Sequence, residues 1–186
     1  MKVKPKNKRG EVTLELKRGD EPLLDAAARS AVKSPFRIKR ILVPIDFSEC
    51  SKKALQYALP LAREHQAALT LLYVVAPAYA FGDNGGIAYT ALESEMRSSG
   101  EKELAKLVVD EVRGEVPADA TVRSGTPGAN IIEVARSLPA DLIVLSTHGR
   151  TGLKHVFLGS VVEQVVQRAP CPVLVVRQQE HEFLAT

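Results

Sequence analysis

The chain predicts an α/β protein with an open parallel sheet of five strands and helices on both faces, and three observations lead there. Apolar runs alternate with segments of helical period from Ile38 onward, giving the order βαβαβαβαβ. Three of the runs, RILVPI (Arg40–Ile45), DLIVLS (Asp141–Ser146) and PVLVVR (Pro172–Arg177), are continuous rather than alternating, as strands covered on both sides are. Each strand is separated from the next by a helix-sized segment, and right-handed crossovers of this kind join parallel strands.

Residues 1–36 are rich in Lys, Arg, Pro and Gly, with little periodicity before LLDAAARSAV (Leu23–Val32), which has room for one or two helical turns. The first twenty residues are expected to be mostly disordered, and 1–36 as a whole a basic, largely flexible extension. One compact domain over 37–178 and a polar tail over 179–186 complete the division.

The first strand, Arg40–Ile45, ends in Asp46-Phe47-Ser48, where Ser48 or Asp46 can cap the helix that follows. Ala54, Leu55, Ala58, Leu61 and Ala62 recur at helical spacing in that helix, and Pro60 predicts a kink or an early end. ALTLLYVVA (Ala68–Ala76) is the second strand. Gly82 to Gly86 reads as a loose loop before a long charged helix from about Ala91 to Arg113, with Leu104, Leu107, Val108 and Val112 as its buried stripe. ATVRSG (Ala120–Gly125) is a short third strand, and Pro127 opens a helix through Ile131, Ile132, Ala135 and Leu138. The fourth strand is Asp141–Ser146, the fourth helix Ser160–Arg168 with Val161, Val162, Val165 and Val166 as core, and the fifth strand Pro172–Arg177.

The 186 residues carry 45% apolar and 25% charged residues, a globular composition. Residues 1–40 hold twelve Lys/Arg against five Asp/Glu, a balance of +7, while the whole chain is +3, so the remainder is −4. The basic pI of 8.9 therefore belongs to the extension and is no argument for a nucleic-acid face on the core. A solvated tail is preferred over a nucleic-acid-binding arm. Cys50 and Cys171 are too few for a disulfide framework and suit reduced thiols. No run approaches a membrane span and no secretory signal precedes the domain, so the expected location is cytoplasmic.

The stretch DLIVLSTHGRTGLKHVFLGSVVEQVVQRAPCPVLVVR (Asp141–Arg177) is the richest in chemistry. A buried strand empties into a loop with Gly149 and Gly152, and Gly159-Ser160 opens a helix. Free backbone N–H groups and the positive end of the helix dipole point the same way there, which favours an anion and most often a phosphate. In a doubly wound sheet the ligand crevice forms where the strand order reverses, at the carboxyl ends of the strands. If strands one and four are neighbours, Asp46-Phe47-Ser48 and Ser146–Gly152 meet in one crevice. There the N–H groups of Ser160, Val161 and Val162 would close over phosphate oxygens. Charge-assisted hydrogen bonds contribute about 1.5–3 kcal/mol each, so three or four would supply much of the roughly 8 kcal/mol of micromolar affinity.

Other chemistries are poorly supported. Ser146 and His148 invite a nucleophile–base reading, but no Gly-x-Ser-x-Gly elbow surrounds the serine, and no catalytic residue is assigned. His148 and His155 lack a Cys or carboxylate at metal-ligand spacing. Neither the P-loop motif nor Gly-x-Gly-x-x-Gly is present.

Four pieces, ILVPIDFSECSKKAL, LLYVV, GTPGANIIEVA and the Asp141–Arg177 stretch, together resemble the universal stress protein (UspA-like) family across nearly all of residues 37–178. The signature of its ATP-binding branch is Gly, two residues, Gly, nine residues, Gly, then Ser or Thr. Gly149, the nine residues Arg150 to Leu158, and Gly159-Ser160 match it, while Ser146 stands at the first glycine position. The resemblance implies an adenine-nucleotide alpha hydrolase-like fold with strand order 3-2-1-4-5. It implies ATP as ligand, with Mg²⁺ or Mn²⁺ carried by the phosphates, with Asp46 as a further contact to the cation. By the same resemblance Pro44, Ile45 and Asp46 lie along the adenosine, Asp46 near the ribose hydroxyls, and Val74 lines the adenine pocket. Gly149, Arg150, Gly152, Gly159, Ser160 and Val161 surround the phosphates, and Ser146, at the first glycine position, joins the nucleotide-binding residues with a hydroxyl near the crevice. A homodimer through the edge strand Val173–Val176 is implied as well. The function expected is a regulatory nucleotide-binding module in stress response. In it, occupancy orders the Ser146–Leu158 loop and changes a surface read by a protein partner not identified by the sequence. Two rivals stay open, a slow ATPase using Asp46 or His148 and a structural dimerisation module with an empty crevice.

Overall fold

The computed structural model describes residues 2–5, 12–15, 37–77, 85–147 and 159–178. The chain divides into two units, Met1–Phe36 and Arg37–Thr186.

In the first unit, β1 (Lys2–Pro5) pairs antiparallel with β2 (Val12–Glu15), with Val3 opposite Leu14 and Lys2 opposite Glu15. The expectation of disorder over the first twenty residues does not extend to these eight. Apolar-with-apolar and opposite-charge positions in register are the pairs that stabilise an antiparallel ribbon. With only two strands, they leave too short a pattern to stand out in the sequence.

The second unit is a five-stranded parallel sheet. Its strands are β3 (Arg40–Ile45), β4 (Ala68–Val75), β5 (Ala118–Ser124), β6 (Leu142–Ser146) and β7 (Val173–Val176). They lie in the order β5-β4-β3-β6-β7, which is 3-2-1-4-5 when only these five are counted. The connecting helices are α1 (Glu49–His65), α2 (Gly85–Leu107), α3 (Pro127–Ser137) and α4 (Ser160–Arg168). β3 is central, with Arg40–Ile45 in register with Ala68–Tyr73 on one edge and Ile41 and Leu42 opposite Leu142 and Ile143 on the other.

Strand alternation separates two cores. Ile41, Val43 and Ile45, with Leu69, Leu71, Tyr73 and Val144, meet Leu55 and Ala58 of α1 and Leu104 of α2. Leu42, Leu72, Ile143 and Leu145 meet Ile131 and Ile132 of α3 and Val162 and Val165 of α4. Because successive side chains leave a strand on opposite faces, burying both faces requires a continuous apolar run. At the amino end of the sheet, Asp141 Oδ2 accepts from the backbone N–H groups of Lys39 (2.8 Å) and Arg40 (2.9 Å), fastening the start of β3 to that of β6.

Several local expectations change. α1 does not end at Pro60 but continues to His65. Ala54, Leu55, Tyr57, Ala58, Leu59 and Ala62 bury on both sides of the proline, and the carbonyl left without its partner belongs to exposed Gln56. α2 starts at Gly85 instead of about Ala91, so Gly85 and Gly86 belong to the helix, while 78–84 lie outside the described residues. It stops at Leu107, and Val108–Val112 form a π-helical turn closed by Arg113 N–H to the Val108 carbonyl. The wider turn lets Leu107 and Val112, five residues apart, both reach the core, at the cost of turning Val109 outward. Val108 is half-buried. In α4, Val162 and Val165 are buried and Val161 half-buried, but Val166 is 49% exposed because it lies on the far side of a helix that covers the sheet with one stripe. The tail over 179–186 lies outside the described residues.

Pro60→Ala restores an N–H for the Gln56 carbonyl and releases unfolded-chain entropy that proline had restricted. The first outweighs the second, so the variant should gain about 1–2 kcal/mol. The urea midpoint measures it, and a fall in midpoint would mean that packing of the half-buried ring dominates.

Candidate functional site

The strand order reverses between β3 and β6, whose neighbours lie on opposite sides, so their carboxyl ends flank the crevice of a doubly wound sheet. From β3 the chain enters the turn Asp46-Phe47-Ser48. Ser48 is the N-cap of α1, its hydroxyl oxygen accepting from Ser51 N–H at 3.2 Å. Asp46 holds Ser48 in turn: Asp46 Oδ1 accepts from the Ser48 backbone N–H (3.1 Å) and from its hydroxyl (2.5 Å). Ser51, 2% exposed, donates its hydroxyl to the Ser48 carbonyl (2.9 Å) and accepts from Asp46 N–H (3.3 Å). The half-buried Asp46 carboxylate is thereby fixed by a network within six residues.

At the other wall, Thr147 follows β6 and is 4% exposed. Its carbonyl accepts from Gly159 N–H (3.1 Å), and its own N–H donates to Val176 (2.9 Å). The chain thus leaves the sheet at Thr147 and returns at Gly159 through one hydrogen bond. A Cβ at Gly159 would lie 3.2 Å from the Thr147 carbonyl oxygen, so glycine suits this close approach. Gly159 is also the N-cap of α4 and supplies no side-chain cap, in contrast to Ser48 on α1. Ser160 is exposed, and the first-turn amides of a nine-residue helix lack intrahelical acceptors.

Pro44 and Val74 share the α3/α4 face with Leu42 and Leu72, and Val74 packs against that core. Ile45 is 3% exposed in the α1/α2 core, leaving only its backbone for a ligand. Ser146 ends β6 in register with Val176 and, by alternation, shares the face of Leu142 and Val144. It stands opposite to Pro44 and Val74. His148, Gly149, Arg150, Gly152 and His155 lie outside the described residues. Among the described residues no cluster of three or more His, Cys, Asp or Glu is placed to hold a metal ion, and no helix is long and apolar enough to cross a membrane.

Three residues of this region escape a reading of the sequence: Ser51, Phe47 and Thr147. Ser51 was legible in principle, since it precedes Leu55 and Ala58 on the buried stripe at spacings of four and seven. Phe47 adopts φ 65°, a left-handed conformation that no sequence pattern announces for a phenylalanine. A separate polar groove of about 450 Å³ runs along α1, lined by Glu49, Lys52, Lys53, Gln56, Glu111 and Gln178, and shares no residue with the crevice.

A model of the family described as "Universal stress protein family" matches residues 37–177. The chain belongs to the universal stress protein family. Universal stress protein MJ0531 of Methanocaldococcus jannaschii is 33% identical over 144 residues, covering 77% of this chain and 85% of that one. Universal stress protein YxiE of Bacillus subtilis is 35% identical, over 74% and 98%. The solved UspA of Lactobacillus plantarum superposes with a TM-score of 0.70 at 29% identity, covering 76% of this chain and 99% of that one. Two universal stress protein structures, one in complex with cAMP and one from Arabidopsis thaliana with AMP bound, share the fold at 20% identity and TM-scores of 0.57 and 0.55. Related family structures therefore hold adenine nucleotides.

The two cysteines are free, Cys50 in the first turn of α1 and Cys171 just before β7. Burial, and then the negative charge of Asp46, push the Cys50 thiol above its ordinary value of 9.0. Burial and then Asp141 raise Cys171. The unfolded chain therefore ionises these thiols first, and their contribution to stability, complete below the ordinary value, is lost as pH rises through the folded ones. Urea stability followed from roughly pH 8 to pH 10.5 should decline less steeply in Cys50→Ala/Cys171→Ala than in the natural chain. Parallel curves would show that the thiols are not coupled to folding.

Proposed function

We propose that the protein belongs to the ATP-binding branch of its family and works as a cytoplasmic regulatory nucleotide-binding module. The observation that carries this reading is the adjacency of β3 and β6. It brings the end of the Asp46 strand beside the strand that leads, through the glycine spacing, to the uncapped start of α4. The residues fit the group chemically. A half-buried carboxylate at Asp46 suits the ribose hydroxyls, apolar Pro44 and Val74 on one sheet face suit a base, and the amides of Ser160 and Val161 suit phosphate oxygens. Gly149, Arg150 and Gly152 are proposed to complete the phosphate contacts, and Mg²⁺ or Mn²⁺ to accompany the nucleotide through its phosphates. Ser146 in place of the first glycine is compatible with binding, because strand alternation directs its side chain to the other face of the sheet from Val74.

In this reading occupancy orders residues 148–158, beyond the fixed Ser146 and Thr147, an entropy loss that the phosphate hydrogen bonds offset, and a partner reads the ordered surface. A homodimer through β7 is part of the proposal. Val173, Leu174 and Val175 are only half-buried at the sheet edge, where an apolar strand invites pairing with a second copy. The rival reading, a dimerisation module whose crevice stays empty, is separated from this one by the first test below.

Protein denatured directly after purification should release an adenine nucleotide visible by mass spectrometry. Equilibrium dialysis with ATP and Mg²⁺ should show micromolar binding that weakens about tenfold or more in Asp46→Ala. Absence of both the released nucleotide and any binding would favour the empty-crevice module. Steady ADP production lost in Asp46→Ala would favour an ATPase. Amide hydrogen exchange over 148–158 should slow on adding ATP, and unchanged exchange would sink the regulatory step.

A further inference from the structure

Gly100 sits in the interior of α2, where glycine is a poor helix former and nothing about the backbone calls for it. Its surroundings explain it. A Cβ at this position would lie 2.4 and 2.6 Å from Cδ1 and Cε1 of Tyr73, so the ring of Tyr73 occupies the space that any other residue would fill. Tyr73, 7% exposed on the α1/α2 face of β4, is held against the Phe47 ring at 4.8 Å between centroids and a tilt of 51°. That is the range in which aromatic pairs attract beyond their buried area. Phe47 belongs to the turn after β3, and its φ of 65° is a left-handed conformation that a bulky side chain avoids unless its surroundings impose it. Asp46 precedes it and Ser48 follows it, joined by the two hydrogen bonds to Asp46 Oδ1.

We propose that Gly100, Tyr73 and Phe47 form a brace behind the crevice that positions the Asp46 carboxylate for its ligand. The ring of Phe47 is directed into the α1/α2 core, while Pro44 and Val74 occupy the opposite face of the sheet. Anchoring that ring on Tyr73 holds the backbone of residue 47 in its left-handed turn. The turn in turn sets where the carboxylate of the preceding residue points. Gly100 lets α2 approach closely enough to press Tyr73 into place. These are positioning residues, since none of their side chains lies on the Pro44 and Val74 face. As a statement about ligand affinity the proposal rests on the nucleotide reading of the crevice; as a statement about the turn it does not.

The full chain carrying Tyr73→Phe, Tyr73→Leu or Gly100→Ala separates positioning from packing. Tyr73→Phe keeps the ring and should bind ATP with Mg²⁺ like the natural chain. Tyr73→Leu keeps an apolar side chain without the ring and should bind about five- to tenfold more weakly under conditions where it remains folded. Gly100→Ala should weaken binding in the same direction, although alanine is the better helix former. In the absence of ligand, the amides of Ser48 and Ser51 should exchange faster in Tyr73→Leu than in Tyr73→Phe, with the amide of Val144 unchanged. Binding by Tyr73→Leu within about twofold of the natural chain would overturn the proposal. If the natural chain binds no nucleotide, the reading of the crevice fails by itself. The brace is then decided by exchange alone, with equal Ser48 and Ser51 rates in the two Tyr73 variants overturning it.

Discussion

β3 is hydrogen-bonded along both edges, to β4 over six residues and to β6 at Ile41 and Leu42, and both of its faces are covered by helices. A strand in that position has no freedom of register, because a slip of one residue would exchange Ile41, Val43 and Ile45 with Leu42 and Pro44 across the sheet. The clip of Asp141 on the amides of Lys39 and Arg40 adds a polar lock at its start. With its start and register held, β3 delivers Asp46 to one place at the carboxyl edge. The chain leaves β3 toward α1 on one face and leaves β6 toward α4 on the other, and that divergence makes the crevice.

The two helices that begin at this edge solve the problem of their free amides differently. α1 satisfies one with its own Ser48 hydroxyl, which Asp46 orients, and Ser51 fastens the turn from inside. α4 begins at Gly159, which has no side chain to offer, and its first amides depend on an acceptor from elsewhere. One helix start therefore fixes a carboxylate and the other presents donors. A ligand with hydroxyls at one end and anionic oxygens at the other has the chemistry to match that pair.

Much of this was legible in the residues. Arg40–Ile45 and Ser160–Arg168 have the same bounds in the sequence reading as in the structure, since strong apolar periodicity and Ser or Gly at the helix starts mark their ends. The parallel alternation and the glycine spacing were plain as well. Less visible were features whose cause lies far away in the chain. Pro60 predicts a kink or an early end, and the early end is overridden by packing on both sides of it. Val166 belongs to an apolar cluster in sequence yet faces outward, because one helix stripe is all the sheet can cover. Phe47, Tyr73 and Gly100 come from three different elements, and no local pattern joins them.

The amino-acid sequence by itself determined the order and type of the elements, the two-sided burial of the sheet and the presence of a glycine-marked helix start. These follow from periodicity and side-chain chemistry within a few residues of each position. Only the tertiary structure decided that Ser146 shares a face with Val144 instead of with Val74, that Ile45 offers only its backbone, and that Gly100 makes room for Tyr73. Those outcomes depend on strand register and helix approach. Both are settled by packing between residues tens of positions apart, where spacing along the chain carries no information about distance in space.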